Sequence, residues 1–218
     1  MRIRLLFAAS IFTVALALAV ASEGQAQKPP KPGATTLKAS ADKVTFSTPV
    51  ALTGKVKGGK QGIPVTLERH VAGQTAFVPA GTATTDANGD FSFAQRPSAS
   101  SVYRVTSGTA TSPEVAVAVA PLVGLKVSDS TPRKGQRVRF RGTVRPKHNG
   151  TRVAIQRKRA DGTWVTVRSP LLRDAGSRYS RYSKRIRIRR SGTYRTVIAA
   201  HADHAEGVSR ERTLTVGG

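Results

Sequence analysis

The sequence predicts an all-β fold in which two similar β-sandwiches follow one another along the chain. Short runs alternate apolar and polar residues, and Gly, Pro, Asn and Asp separate them, which is the pattern of half-buried strands joined by turns. No useful length of either half has the 3.6-residue period of a helix. The two halves also repeat each other, which indicates two copies of one unit.

Residues 1–26 are predicted to be a secretory signal peptide. Arg2 and Arg4 give a short positive start, and residues 5–21 form an apolar run that two hydroxyl residues interrupt. Small residues then offer cleavage at the end of this run or, as we expect, after Ala26. An uncleaved anchor is the alternative, but the run is shorter than the roughly 20 residues of a spanning helix. We therefore expect export, with no transmembrane segment after cleavage.

A Pro-rich tether of residues 27–33 is predicted to connect the signal to two domains, 34–120 and 121–218. The segment KPPKPG favours an extended conformation. The chain of 218 residues contains no cysteine. The exported domains must therefore be stabilised by core packing without disulfides, and a lipid-modified cysteine is excluded.

The second half of the sequence carries most of the positive charge. The whole chain has a formal net charge of +24, but the first half contributes only eight Lys or Arg against five Asp or Glu. The second half contains twenty-four Lys or Arg against six Asp or Glu. One gene encodes both halves, so genomic base composition does not explain the difference. The excess of positive charge therefore either serves a function of the second half or is tolerated by its fold.

Three pairs of segments carry the internal repeat. Two of the pairs share an offset of 88 residues, and the third has an offset of 91. The second copy therefore contains a small insertion before its last strands. The pairs are VALTGKV (50–56) with VRFRGTV (138–144), VTLER (65–69) with VAIQR (153–157), and SVYRV (101–105) with GTYRT (192–196).

Each copy contains about seven alternating runs, which without a helix are typical of an immunoglobulin-like sandwich. Asn149-Gly150 and Asp161-Gly162 are predicted to be type I′ hairpin turns, whose two central residues both need positive φ. Tyr103 and Tyr194 occupy the place of a tyrosine corner, or they are simple core tyrosines. The predicted strands of the second copy are 122–128, 137–144, 152–157, 163–168, 179–189, 193–199 and 211–216.

Several segments also carry a family resemblance. The segments are GTVRPKHNGTRVAIQR (142–157), GTW (162–164) and GTYR (192–195). They are similar to the tandem immunoglobulin-like repeats of secreted actinobacterial proteins. TTDANGDFSF (84–93) resembles a hairpin of carboxypeptidase-regulatory-like modules. Together these likenesses cover about residues 34–217, and they imply an extracellular β-sandwich in an accessory role without catalytic residues.

A turn in the first half has the residue spacing of a calcium loop. Asp86, Asn88 and Asp90 follow the pattern D-x-N-x-D. However, Phe91 and Pro97 stand where such a loop needs Gly and a bidentate Glu. We therefore expect a hairpin turn at this place and no metal.

The segment HADHAEG near the end of the chain gathers possible zinc ligands, His201, Asp203, His204 and Glu206. It lies between the last two predicted strands, where nothing fixes the spacing of its side chains, so we expect a solvated loop without metal. The sequence has no G-x-S-x-G elbow, no paired carboxylates and no phosphate-binding loop. We therefore expect no enzyme and no cofactor. Trp164 is expected to close the core, with an exposed stacking surface as the alternative.

One sheet of the second half is predicted to present a cationic face. Val138 and Phe140 share one strand parity and arginines share the other, and the same alternation recurs around Ile186 and Ile188. In an immunoglobulin-like sandwich these two strands pair within one sheet, so their arginines would be neighbours. We call this set the arginine face; it consists of Arg137, Arg139, Arg141, Arg181, Arg185, Arg187, Arg189 and Lys126.

The arginine face predicts contact with a polyanion, because opposed like charges destabilise a sheet and guanidinium groups suit phosphate. The expected partner is a teichoic-acid-like envelope polymer or another anionic surface, with nonspecific DNA binding in vitro. Sequence-specific nucleic-acid binding is not expected, since Tyr179 and Tyr182 are the only nearby aromatic residues and Tyr182 points inward by parity. The expected location is extracellular, in solution or on the cell wall. An adhesion or spacer module that binds another protein is the alternative, with the charge serving solubility.

Overall fold

A computed structural model describes residues 35–201 and 203–217 of the chain. The predicted signal peptide and tether lie outside the described residues. The described residues form nineteen strands, so the all-β prediction is confirmed. Within that same part of the chain, no helix is long and apolar enough to cross a membrane.

The first half forms two sheets. Its strands are β1 (Lys38–Ala39), β2 (Lys43–Thr45), β3 (Val50–Lys55), β4 (Pro64–Val71), β5 (Val78–Thr84), β6 (Asp90–Gln95), β7 (Ser101–Ser107), β8 (Ala110–Thr111) and β9 (Val115–Ala120). One sheet has the order β1-β3-β6, and the other has the order β2-β9-β7-β4-β5 with β8 beside β7. The strands pair antiparallel except for β2 and β9, which pair parallel.

The second half repeats this arrangement. Its strands are β10 (Leu122–Val123), β11 (Lys126–Val127), β12 (Arg137–Arg145), β13 (Ala154–Lys158), β14 (Trp164–Arg168), β15 (Arg173–Asp174), β16 (Ser180–Arg187), β17 (Gly192–Ile198), β18 (Gly207–Val208) and β19 (Arg212–Leu214). One sheet has the order β10-β12-β16-β15 with β11 beside β12, and the other has the order β14-β13-β17-β18 with β19 beside β17. Every predicted run contains an observed strand, while the two-residue strands β15 and β18 were not predicted.

Each half packs its own hydrophobic core from the inward positions of both its sheets. In the second half, Phe140 of one sheet meets Tyr194 of the other edge to face, with ring centroids 5.1 Å apart. In the first half, Leu52 and Leu67 come from different sheets and both are fully buried. Each such side chain stabilises the fold by about 1.5–3 kcal/mol. The cores use the residues that strand alternation predicts.

A strand glycine marks the repeat in three dimensions. Gly142 pairs with Tyr182 across β12 and β16, and Gly54 pairs with Phe91 across β3 and β6. A Cβ at Gly142 would overlap the carbonyl oxygen of Gly124 and lie 2.7 Å from the Tyr182 ring, and one at Gly54 would meet an equivalent carbonyl and ring. Only glycine lets the strand approach so closely. The two halves therefore share this packing detail at the predicted offset of 88.

The turn predictions are only partly correct. Asp161-Gly162 joins the paired strands β13 and β14, so the predicted hairpin is confirmed. Asn149-Gly150 and Asn88-Gly89 instead connect strands of different sheets, so neither is a hairpin. The type I′ prediction is wrong, because the glycines have positive φ while Asn149 and Asp161 do not. A turn with one left-handed residue is sufficient at these places.

Tyr103 and Tyr194 are both buried in the cores, and burial raises the pKa of both hydroxyls. Within the described residues, the hydroxyl of Tyr103 has no hydrogen-bond partner. A tyrosine corner needs that hydroxyl to bond the backbone. Tyr103 is therefore a simple core tyrosine, which was the alternative.

The two halves contact each other through the loop that follows β17. The amide of Ser100 donates to the carbonyl of Asp203 at 2.7 Å, and the amide of Ala205 donates to the carbonyl of Val119 at 2.9 Å. His204 Nε2 lies 2.9 Å from the carbonyl oxygen of Ser98, and the imidazole is buried. The prediction of a solvated loop is therefore wrong at His204, because this part of the loop packs against the first half.

Candidate anion-binding site

Strands β12 and β16 bring the predicted arginines together as neighbours. They pair antiparallel, and the register sets Arg137 opposite Arg187 and Arg139 opposite Arg185. Val138 lies opposite Ile186 in the same ladder, and both are buried. The predicted pairing of these two strands is therefore confirmed, with arginines on the outer face and aliphatic side chains on the inner one.

The remaining members of the arginine face extend it in three directions. Lys126 on β11 lies opposite Arg141, and Arg181 lies opposite Thr143. Arg189 follows the end of β16, where it lines a shallow depression of about 580 Å³ together with Arg187. All eight side chains of the arginine face are exposed to solvent.

The arginine face has no acidic partner in the described part of the chain. None of its eight residues forms a salt bridge among residues 35–201 and 203–217. A second depression of about 490 Å³ is lined by Ser128 and arginines alone. Alternate residues of a strand lie about 6.7 Å apart and neighbouring strands about 4.8 Å apart. Both distances are within the Debye length of about 8 Å at physiological ionic strength, so the charges repel one another.

Sequence reasoning missed four cations around this face. Arg145 continues the outward parity of β12 and lies opposite Leu122. Following the alternation from Arg141 through the next two outward positions, 143 and 145, would have found it. Arg173 lies opposite Arg181, but its two-residue strand gives no periodic signal. Arg168 and Lys184 line the depression that contains Arg189. Lys184 has the inward parity of Phe140, yet it is exposed.

In the candidate calcium turn, a carboxylate oxygen of Asp86 is hydrogen-bonded to backbone amides of the same turn. Asp86 Oδ1 accepts from the amides of Asn88 at 2.8 Å and Asp90 at 2.9 Å. The carboxylate of Asp90 lies 3.5 Å from Lys55 Nζ. These bonds shape a turn between two sheets, which explains the sequence pattern without an ion.

A histidine cluster forms at the contact between the two halves. His148, which the sequence did not connect with the HADHAEG segment, lies with its ring centroid 4.7 Å from His201 and 4.9 Å from His204. Burial lowers the pKa of His148, and the neighbouring imidazoles lower it further. His204 Nδ1 is bonded to the Asp203 carboxylate at 2.8 Å. No group of three or more ligands in the described residues has the arrangement of a metal site.

Trp164 lies outside the core cluster and is half-buried. The guanidinium carbon of Arg195 lies 4.2 Å from its ring centroid. In the first half, Arg104 lies 4.0 Å from the centroid of Phe77 in the same way. The expectation that Trp164 closes the core is therefore wrong. In each half, an arginine from the second strand along in the same sheet covers the aromatic ring on the outer side. Such stacking contributes about 0.5–1 kcal/mol at exposed sites.

Known protein families and curated sequences give no relative from which a function could be transferred. No model of a known protein family matches the chain, and no curated protein matches its sequence.

Proposed function

We propose that this protein is a secreted, non-enzymatic binding protein whose second half holds an anionic cell-envelope polymer on the arginine face. The polymer is of the teichoic-acid type, a chain of phosphate groups joined by small polar units. The protein acts outside the cell, in solution or on the cell wall. The first half serves as a structural unit beside the second. Its net charge is much lower, so it does not supply a cationic surface comparable with the arginine face.

One observation carries this proposal: arginine lies directly opposite arginine in the β12–β16 ladder. Arg137 faces Arg187 and Arg139 faces Arg185. Directly opposed like charges destabilise a sheet. Folding gains nothing from this arrangement, whereas a bound polyanion would neutralise both strands at once. Guanidinium groups bind phosphate oxygens in a bidentate manner, which favours arginine over lysine at such a site.

The strand orders support the immunoglobulin-like type of each half. In the second half, one sheet has the order β10-β12-β16-β15. The other sheet places β13 and β17 side by side, with β14 as an added edge strand next to β13 and with β18 and β19 next to β17. Apart from the added edge strand, this division of strands between two sheets resembles that of an immunoglobulin-like sandwich and supports that type. Such modules serve as binding and spacing units, which agrees with a role that needs no catalytic site.

The proposal is tested by removing one opposed pair and measuring the binding of soluble polyanions. Arg139→Gln with Arg185→Gln removes two charges from the centre of the face. We expect weaker binding of poly(glycerol phosphate). With duplex DNA, the slope of log K against log salt falls in magnitude by about 1.8, since each lost phosphate contact contributes about 0.9.

A matched control removes two exposed arginines elsewhere in the second half. Arg152→Gln with Arg159→Gln gives the same net charge and leaves the arginine face intact. We expect this variant to keep nearly the full affinity and the full salt slope. Equal losses in both double variants would show that only net charge matters. No loss in either variant would contradict the proposal and leave the protein-binding spacer as the better interpretation.

A further inference from the structure

A groove overlaps one edge of the arginine face where the two sheets of the second half approach each other. Its volume is about 880 Å³, and it lies between β10–β11 on one side and β18–β19 on the other. Leu122 and Val208 line it, with 46% and 42% of their surface exposed. Only two other large aliphatic residues in the described chain are exposed, Val78 at 39% and Leu171 at 43%. Half of the exposed large aliphatic residues therefore meet in this one groove.

The rim of the groove is cationic on all sides. Its residues include no Asp or Glu. Arg212 Nε donates to the carbonyl of Leu125 at 3.3 Å, which holds that guanidinium at the rim. None of the cations at the rim, Arg212 included, forms a salt bridge within the described residues. The cations of the rim are Lys126, Arg139, Arg141, Arg145, Arg181, Arg210 and Arg212.

The exposed aliphatic pair, Leu122 and Val208, distinguishes this groove from the rest of the arginine face. A soluble polyphosphate would need the cations but would leave Leu122 and Val208 without an apolar partner. A bilayer of anionic phospholipids offers both kinds of contact within a few ångströms of depth. Lipid phosphates meet the arginines at the surface, and the headgroup–acyl boundary accepts aliphatic side chains. Exposed apolar side chains rimmed by cations are therefore best matched by an anionic membrane surface.

We propose that this groove docks the protein on an anionic phospholipid surface, with Leu122 and Val208 entering the headgroup–acyl boundary. Arg145 and Arg181 on one side and Arg210 and Arg212 on the other pair with lipid phosphates. This inference rests on the proposed function, because the groove and the arginine face share four cations, Lys126, Arg139, Arg141 and Arg181. It adds a second kind of partner that the arginine face alone does not require.

The test compares the full chain with the variant Leu122→Ser plus Val208→Ser on two kinds of vesicle. Binding is measured to vesicles of phosphatidylglycerol with phosphatidylcholine and to vesicles of phosphatidylcholine alone. The readout is the difference between the two affinities. Any binding by the apolar run at residues 5–21 is the same in all variants and on both kinds of vesicle, so it cancels. We expect the double variant to lose about tenfold of the phosphatidylglycerol-dependent affinity, and to bind soluble poly(glycerol phosphate) as the unmodified chain does.

The matched control is Val78→Ser plus Leu171→Ser, which removes two equally exposed aliphatic side chains outside the groove. It should leave vesicle binding unchanged, and circular dichroism should show all three proteins folded. Vesicle binding that survives the groove variant, or falls equally in the control, would overturn the inference. Loss of vesicle and polymer binding together in the groove variant would also overturn it. Failure of the unmodified chain to bind the polymer would instead contradict the proposed function.

Discussion

At the scale of single residues, the molecule depends on close approaches that only small side chains permit. Gly142 lies where β12 passes beneath the Tyr182 ring and beside the carbonyl of Gly124. The Tyr182 hydroxyl donates to that same carbonyl and accepts from Thr196 Oγ1, both at 2.8 Å. Burial raises the pKa of this hydroxyl above its ordinary value. The ring, the hydroxyl and the glycine thus form one fitted unit that joins both sheets.

Gly142→Ala should destabilise the protein by about 1–3 kcal/mol, since the added methyl group overlaps backbone that cannot move independently. Urea unfolding measures this as a lower midpoint at an unchanged slope. Gly217→Ala is the control, because a Cβ there meets no atom within 4 Å and the residue does not need positive φ. Equal stability of the two variants would show that the strand yields at Gly142.

The histidine cluster should make stability depend on pH. The pKa of His148 is lowered chiefly by burial, then by His204 and His201, whereas hydrogen bonding to the Pro146 carbonyl and the charge of Asp203 oppose the shift. Between its ordinary pKa of 6.5 and the lowered value, the unfolded chain binds more protons at His148 than the folded chain does. This contribution to stability is therefore complete above pH 6.5 and falls as the solution is acidified.

His148→Gln should reduce the loss of stability between pH 7 and pH 5. Chemical unfolding of both proteins across this range measures the effect, and the difference between the two profiles isolates His148 from the other titrating groups. His70→Gln is the control, because it replaces a histidine in the other half of the chain, outside the histidine cluster. Identical profiles for the unmodified chain and His148→Gln would contradict this assignment.

At the scale of strands, the sequence predicts what depends on alternation and fails where the backbone is set by distant contacts. The run at 137–144 became β12 with one added residue, because its period of two and its β-branched and aromatic residues all favour a strand. The strands β15 and β18 have two residues each and contain no period at all. The Asn149-Gly150 turn was misassigned for a related reason, since a turn motif does not specify which sheet receives the next strand.

The opposed arginines of β12 and β16 should cost stability when no ligand is bound. Arg139→Gln with Arg185→Gln is expected to raise the free energy of unfolding by a few tenths of a kcal/mol at low salt, because it removes a directly opposed pair. The gain should shrink as salt screens the repulsion. Thermal unfolding at two ionic strengths measures it, with Arg152→Gln plus Arg159→Gln as the equal-charge control. A loss of stability in the first variant would mean that these side chains contribute packing.

At the scale of the whole molecule, the arginine face was predictable while the contacts between the halves were not. The face follows from strand parity and one pairing, and both are encoded in short segments. The histidine cluster combines His148 with residues more than fifty positions away, and the groove beside Leu122 depends on how two sheet edges approach. Contacts between residues far apart in the chain produce no periodic pattern in a single sequence, so they could not be predicted from it. The high density of positive charge in the sequence therefore predicted the arginine face. The groove with Leu122 and Val208 could be recognised only from the fold.

The contact between the halves should also decide where proteases act. Ala120 and Pro121 are buried, and the loop hydrogen bonds to Val119 and Ser98 lie beside them. We therefore expect a protease of broad specificity to cut at 28–33, within the predicted tether, before it cuts at the buried junction 120–122. His204→Ala removes the side-chain bond to Ser98, which contributes about 0.5–1.5 kcal/mol, so cutting at 120–122 should become about two- to tenfold faster.

His201→Ala is the matched control for this experiment, since among the described residues the Nδ1 of His201 bonds to the carbonyl of Ala199, within its own half. It should leave the rate at 120–122 nearly unchanged. Mass spectrometry of the fragments identifies the cut sites, and their time courses give the rates. Early cutting at 120–122 in the unmodified chain would mean that the halves separate readily despite these bonds. In that case the arginine face and the groove would belong to a second half that moves independently of the first, and the polymer would be held by one domain alone.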